Sequence, residues 1–300
     1  MNPLIGRSQL QDLLIAPRPP VLLHVLPPEH FAECRLPGAR NACIYETAFL
    51  ETIRELGLTP TDPIVVYGEG APSLDSEVAA ARLRSAGYQN VSDFRGGLRE
   101  WQLAGLPVEG SGSSPGPRIT GRFDVDTEQS VIRWTGRNLF NHHEGTVRLA
   151  SGWLDITTNT LTAAEFVIDM RSIVCTDLTD SAFNAMLLRH LSTDDFFATE
   201  EHPTARFAIH SAEALPLATQ GTPNYMLNGD FTLRGVTRAL AFPAVIAAAD
   251  PDHLTGQALI QLDRTDFGSL YGSGRFFAFL GKHVVNDHID LHLKVHAARR

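Results

Sequence analysis

Residues 110–117 read GSGSSPGP, and the pattern of the chain changes across them. Every residue there is Gly, Ser or Pro, so none carries a side chain worth burying. Such a segment reads as a linker, flexible at its Gly/Ser end and stiffer at its Pro end. Before it, apolar runs of strand length alternate with helical patterns. After it, apolar and polar residues alternate with a period of two. A chain of 300 residues is long enough for a domain on each side. The expected boundaries are residues 1–109 for the first domain, 110–117 for the linker and 118–300 for the second.

Composition narrows the functions open to it. A net charge of −9 supplies no basic field for phosphates, which argues against nucleic-acid binding and against an electrostatic hold on anionic membranes. No run approaches the roughly 18 apolar residues of a spanning helix. The opening MNPLIGRSQLQDLLIAPRPP lacks the basic, apolar and small-residue order of an export signal, so a cytoplasmic location is expected. Cys34, Cys43 and Cys175 are odd in number and irregular in spacing, which is neither a disulfide framework nor a zinc pair.

In the first half, residues 21–26 (VLLHVL) and 64–67 form apolar runs suited to strands buried on both faces. Helical patterns are expected over 46–56, 74–86 and 97–104, with Ser73 as cap of the second, and a short strand over 91–94. Strand and helix alternate, which predicts an α/β domain with a mostly parallel sheet. The blocks LLHVLPPEHFAECRLPGARN and VVYGEGAPSLDSEVAAARLRSAGYQNVSDFRGGLREWQLAGLPVE resemble a rhodanese-like domain. That resemblance implies a cysteine at the end of the strand before the Ala-rich helix, carrying a persulfide held by loop N–H groups and the helix N-terminus. Here the position falls on Gly68, and the loop Gly68, Glu69, Gly70, Ala71, Pro72, Ser73 holds no cysteine. Glu69 puts a negative charge where an anion would bind. The family's usual Asp in the first strand is His24, and the Arg two residues later is Leu26. A degenerate rhodanese-like domain without sulfurtransferase activity is expected, retained for stability or for docking a protein partner.

In the second half, Ile132 and Trp134 share a face, as do Phe166, Ile168 and Met170, then Ala205, Phe207 and Ile209, and later Leu227, Phe231 and Leu233. Counting similar runs gives roughly eight to ten short strands, which suggests an antiparallel β-barrel or a sandwich. Two excursions interrupt them. One crosses a helical pattern within 169–207, with Phe183, Met186, Leu187, His190 and Leu191 at helical spacing. The other is FGSLYGSGRFFAFLGK at 267–282. GRFDVDTEQSVIRWTGRN, HHEGTVRLASGWLDI, FVIDMRSI, HLSTDDFFATEEHPTARFAI, NGDFTLRGVTRALAFPA and DRTDFGSLYGSGRFF, in this order, resemble the YceI-like family. The resemblance implies a lipocalin-like barrel associated with polyisoprenoid lipids.

Among the 12 histidines, His288, His292 and His296 are the most suggestive of a metal, but on a strand they stand ~13 Å apart. His142-His143-Glu144 could meet His190 or His202 at a barrel mouth, although polar loop residues are the simpler reading. No metal and no cofactor are expected beyond a bound isoprenoid lipid. The 16 phenylalanines concentrate in the barrel half, on inward faces and in the excursions. A barrel filled by its own side chains needs no apolar lid, whereas a sequestered alkyl chain does. Trp134, Phe166, Ile168, Phe207, Phe231 and Phe242 are therefore expected as walls, and Leu187, Leu191, Phe276 and Phe277 as a lid. Arg264 is expected in a structural ion pair or against a polar ligand head. The function expected is non-catalytic carriage of a long apolar lipid. The alternatives are a sulfurtransferase-related protein or a partner-docking protein with a filled barrel.

Overall fold

A computed structural model describes residues 4–112, 119–216, 218–219 and 221–300, so most of the expected linker, 113–117, lies outside the described residues. The chain divides into two compact units, Met1–Gly116 and Pro117–Arg300.

The first unit is built on a four-stranded parallel sheet of order β2-β1-β3-β4, with β1 Val21–His24, β2 Arg40–Asn41, β3 Ile64–Tyr67 and β4 Val91–Asp93. All four residues of β3 are buried because the sheet is covered on both faces. Leu23, Ile64 and Val66 face Phe49 of α3 (Phe49–Glu55) and Ala79, Ala80 and Leu83 of α4 (Asp75–Ser85). Leu22, Val65 and Tyr67 face Leu10 of α1 (Arg7–Leu14) and Leu98 and Trp101 of α5 (Gly97–Leu103). The period-two alternation of strand side chains thus sorts neighbouring residues into two cores.

Three local expectations change. Pro27 and Pro28 do not only end β1: Pro28 opens the short helix α2 (Pro28–Glu33), where a missing N–H costs nothing. Ser73 does not cap α4, whose N-cap is Leu74 without a side-chain cap bond. The start of the expected linker is also engaged: Ser111 N–H donates to Ala32 O and Gly112 N–H to Glu33 O, both at 3.0 Å.

The second unit is antiparallel. Its strands are β5 Gly121–Val125, β6 Val131–Asn138, β7 His142–Thr157, β8 Thr160–Cys175, β9 Thr204–Ala214, β10 Tyr225–Leu233, β11 Val236–Asp250, β12 His253–Asp263 and β13 Val285–Arg299. Consecutive strands pair from β6 to β13, and β13 pairs with β6, so these eight strands close a barrel; β5 fits between β7 and β13 at one end. Two tight hairpins carry positive φ at both central residues, Thr158-Asn159 (48° and 64°) and Arg234-Gly235 (52° and 72°), the geometry that matches strand twist. Helix α6 (Ser181–Ser192) crosses between β8 and β9 and is capped by Asp180, whose side chain accepts from the N–H groups of Ala182 and Phe183.

Candidate functional site

Inward-facing residues leave the barrel interior open in two places. The narrower cavity, about 80 Å³, is walled by Leu149, Phe166, Phe207, Leu227, Phe242 and Leu254 among others. The wider one, about 270 Å³, is walled by Trp134, Leu187, Leu191, Phe196, Phe197 and Tyr271 among others. Ile132, Ile168, Phe231, Leu262 and Leu291 line both. These five stand on β6, β8, β10, β12 and β13, so the cavities meet at one ring of apolar side chains.

The wider cavity carries the polar groups. Arg264 is fully buried. Its Nη1 donates to Ser269 O at 2.6 Å, its Nε to Asn286 O at 3.0 Å and its Nη2 to Val285 O at 3.2 Å. Asp287 stands 3.7 Å away. Backbone carbonyls, more than an ion pair, therefore hold the guanidinium, and burial lowers its pKa from the ordinary arginine value. The guanidinium also lies over the Phe196 ring, 5.4 Å from its centre. His190 meets Phe196 and Tyr271 edge-on, with ring centres 4.9 and 4.5 Å apart. Trp134 Nε1 is buried with no hydrogen-bond partner among the described residues. Its ring lies against Gly145, where an added Cβ would come within 2.7 Å of it.

Of the expected walls, Phe166, Phe207 and Phe242 line the narrower cavity, Trp134 the wider, and Ile168 and Phe231 both. Of the expected lid, Leu187 and Leu191 reach the wider cavity, joined by His190 at helical spacing. Phe276 and Phe277 do not line it. They are half exposed, and Phe277 instead borders a separate surface depression with Asp194, Asp195, Tyr271 and Phe279. Phe183, one turn before Leu187, and Met186, next to it, project to solvent, 60% and 57% exposed, because α6 rests mainly on β8 and offers the cavity only one edge. Phe196, Phe197 and Tyr271 do the closing that Phe276 and Phe277 were expected to do. Phe196 and Phe197 had a sequence signal, adjacent aromatics after the helix; Tyr271 sits among loop glycines and had none. His288 and His292 are exposed on β13, while His296 is half-buried.

In the first unit, the loop 68–73 lies between β3 and α4. Gly68 O and Glu69 O accept from the N–H groups of Leu98 and Arg99, at 3.0 and 2.9 Å, which ties the loop to α5. The Asp75 side chain lies against Gly68: an added Cβ at Gly68 would come within 2.7 Å of Asp75 Cβ and 2.9 Å of its Oδ2. Asp75 is buried and accepts from Tyr45 OH. Burial, then that bond to a carboxylate, pushes the Tyr45 phenol up to about 12. The first turn of α4 thus carries the chain's own anions, Asp75 and Glu77. Cys34 and Cys43 are not part of the loop, Cys34 accepting from Gln102 on α5 and lying near enough to Glu69 to feel its charge, and Cys43 buried.

Residues 123–297, more than half of the chain and nearly the whole barrel, match the YceI-like domain. The chain belongs to the YceI-like family. Its residues 7–104 match the rhodanese-like domain. Among solved structures, BcnA of Burkholderia cenocepacia is similar at 19% identity and a TM-score of 0.46, over 58% of this chain and 99% of BcnA. A polyisoprenoid-binding domain from Saccharophagus degradans is similar at 13% identity and a TM-score of 0.44, over 60% of this chain and 99% of that domain. The adenylyltransferase and sulfurtransferase UBA4 of Meyerozyma guilliermondii is 36% identical over 88 residues, 27% of this chain. The chain spans only 20% of the length of that curated relative. Among the described residues, no helix is long and apolar enough to cross a membrane.

Proposed function

We propose that the barrel carries a long apolar lipid of the polyisoprenoid kind without transforming it, and that the rhodanese-like half docks a protein partner and transfers no sulfur. The observation that carries the first part is the pair of apolar cavities joined at the ring Ile132, Ile168, Phe231, Leu262 and Leu291. A chain threaded through that ring gains roughly 0.8 kcal/mol per buried methylene, so affinity grows with length. The unpartnered Trp134 Nε1 supports a ligand with a hydrogen-bond acceptor at its polar end. Membership in the YceI-like family supports the same reading. The test is mass spectrometry of an organic extract from protein purified without detergent. A long-chain isoprenoid at near-stoichiometric yield is expected. An empty extract, together with no uptake of long-chain lipids by the purified protein, would replace this reading with a filled, partner-docking barrel.

A sulfur-transfer reading has two findings in its favour, the rhodanese-like match over residues 7–104 and the partial similarity to UBA4. Against it stand the glycine at position 68 and the Asp75 side chain in the space a cysteine there would need. An assay with thiosulfate and cyanide decides. Background thiocyanate is expected, and turnover that survives Cys34→Ala and Cys43→Ala would establish sulfur transfer instead.

A further inference from the structure

Three metal-ligating side chains meet beside the wider cavity, and lipid carriage uses none of them as ligands. His143 is the second residue of β7, Cys175 ends β8, and Asp177 follows two residues later. One donor atom from each can be chosen so that all lie within 4.8 Å of one another. His143 Nδ1 and Asp177 Oδ2 are 2.9 Å apart, and Cys175 Sγ donates to Asp177 Oδ1 at 3.1 Å.

The scaffold holds this arrangement without help from a ligand. The β7–β8 ladder pairs Gly145 with Cys175. Beyond it, Thr176 N–H donates to Glu144 O at 2.8 Å, and Glu144 N–H donates to Asp177 Oδ1 at 2.9 Å. From α6, Asn184 Nδ2 donates to the carbonyls of Cys175 and Leu178, at 3.1 and 3.0 Å. Ladder, turn and helix therefore fix all three positions, which is the preorganisation a metal site requires.

We propose that His143, Cys175 and Asp177 bind one divalent ion of the zinc class. A thiolate, an imidazole and a carboxylate suit a borderline-soft ion, whereas magnesium and calcium take oxygen donors. Three protein donors leave a fourth position for water, the arrangement of an open zinc site. On a tetrahedron with ordinary zinc bond lengths, donors stand about 3.3–3.8 Å apart. Two of the present separations are hydrogen-bond distances, 2.9 Å from His143 and 3.1 Å from Cys175 to the Asp177 carboxylate, so the ion would replace those bridging protons, and no donor pair need stand more than 4.8 Å apart. Charge balances as follows: Cys175 gives its thiol proton to solvent and binds as thiolate, His143 binds neutral, and Asp177 is already anionic. Burial, with the adjoining carboxylate, pushes the Cys175 thiol up. Burial alone would raise Asp177 as well, but the bonds from Glu144, His143 and Cys175 outweigh it and hold that carboxyl well below the usual range. Because His143 lines the wider cavity, the ion would stand beside the ligand chamber.

The test uses the full chain, stripped with chelator, desalted under reducing conditions and titrated with cobalt(II). Saturation at one equivalent is expected, with a thiolate-to-cobalt charge-transfer band in the near ultraviolet. Cys175→Ser should abolish the band. Cys34→Ser and Cys43→Ser should keep it, since both lie in the other unit. Asp177→Asn should weaken zinc binding at least about tenfold in competition with a chromogenic chelator. Melting curves of the metal-free variants separate lost ligation from lost folding, and His143→Gln replaces Cys175→Ser if that variant does not fold. Absence of the band in the wild-type protein, or a band that survives Cys175→Ser, overturns the proposal.

Discussion

In the rhodanese-like half, the place implied for a reactive thiol is taken up by the chain itself. Gly68 has no room for a Cβ, and Asp75 supplies the negative charge beside it. In the barrel half, the corresponding decision goes the other way: side chains that could have filled the interior leave two cavities. The difference has an energetic side. Asp75 is held without a ligand, since Tyr45 OH donates to it and it stands in the first turn of α4. An empty apolar cavity of about 80 Å³ instead costs about 2 kcal/mol at roughly 24 cal/mol per Å³. A fold bears such a cost for a reason, and a bound alkyl chain removes it. A site closed by its own residues keeps a ligand out, and one left open can take one.

Four experiments break or sharpen this contrast. Ala244→Leu would fill the narrower cavity and make the barrel resemble the other half. Ala244 is buried on β11 and lines that cavity. Displacing about four methylenes of a long chain should cost ~3 kcal/mol, about a hundredfold in affinity, while short chains bind as before. Thermal stability should rise by about 0.5–2 kcal/mol. Unchanged affinity for long chains would show that the narrower cavity takes no part in binding.

The first unit has a pH dependence that the barrel does not share. His24 is fully buried against Phe31 and Tyr67, and burial, then His30 and Arg35, lowers its pKa to about 4. The unfolded chain takes up this proton near pH 6.5 and the folded unit only near 4, so stability is full above 6.5 and lost as pH falls to 4. The loss amounts to about 3 kcal/mol. Calorimetry of the full chain should show the first unit's transition falling over that window, and His24→Leu should flatten the fall.

Reopening the closed site is the converse of filling the barrel. Gly68→Cys alone should destabilise the first unit by about 1–3 kcal/mol through the clash with Asp75. Adding Asp75→Gly, which removes the Cβ as well as the carboxylate, should recover most of that loss. Additive losses in the double-mutant cycle would mean that Asp75 does not limit the space. The smallest effect is expected at the cavity mouth. Asp180→Ala removes the cap of α6 and should cost about 1 kcal/mol, seen as faster exchange of bound lipid with little change in the other half. Unchanged exchange would mean that α6 does not gate the cavity.

Much of this was legible in the residues themselves. The run Ile64–Tyr67 reads as a strand buried on both faces and is one. The alternation through Phe166, Phe207, Phe231 and Phe242 reads as inward-facing wall and is one. Period and turn chemistry are local, set by backbone geometry over a few residues, and so they survive in the one-dimensional record. The missing loop cysteine is equally plain there.

Other features depend on contacts between distant residues. Phe276 and Phe277 are apolar enough for a lid, but their direction is decided by how the loop leaves β12, and it turns them away from the cavity. Asp75 reads as a first-turn acid, and only the approach of α4 to β3 places it in the space of a side chain at 68. His143 and Cys175 are 32 positions apart, and the register of two 16-residue strands brings them together. The cavity volumes belong to this class too. Alternation tells which side chains point inward, but the space left between them is set by barrel closure and strand twist, which no single segment contains.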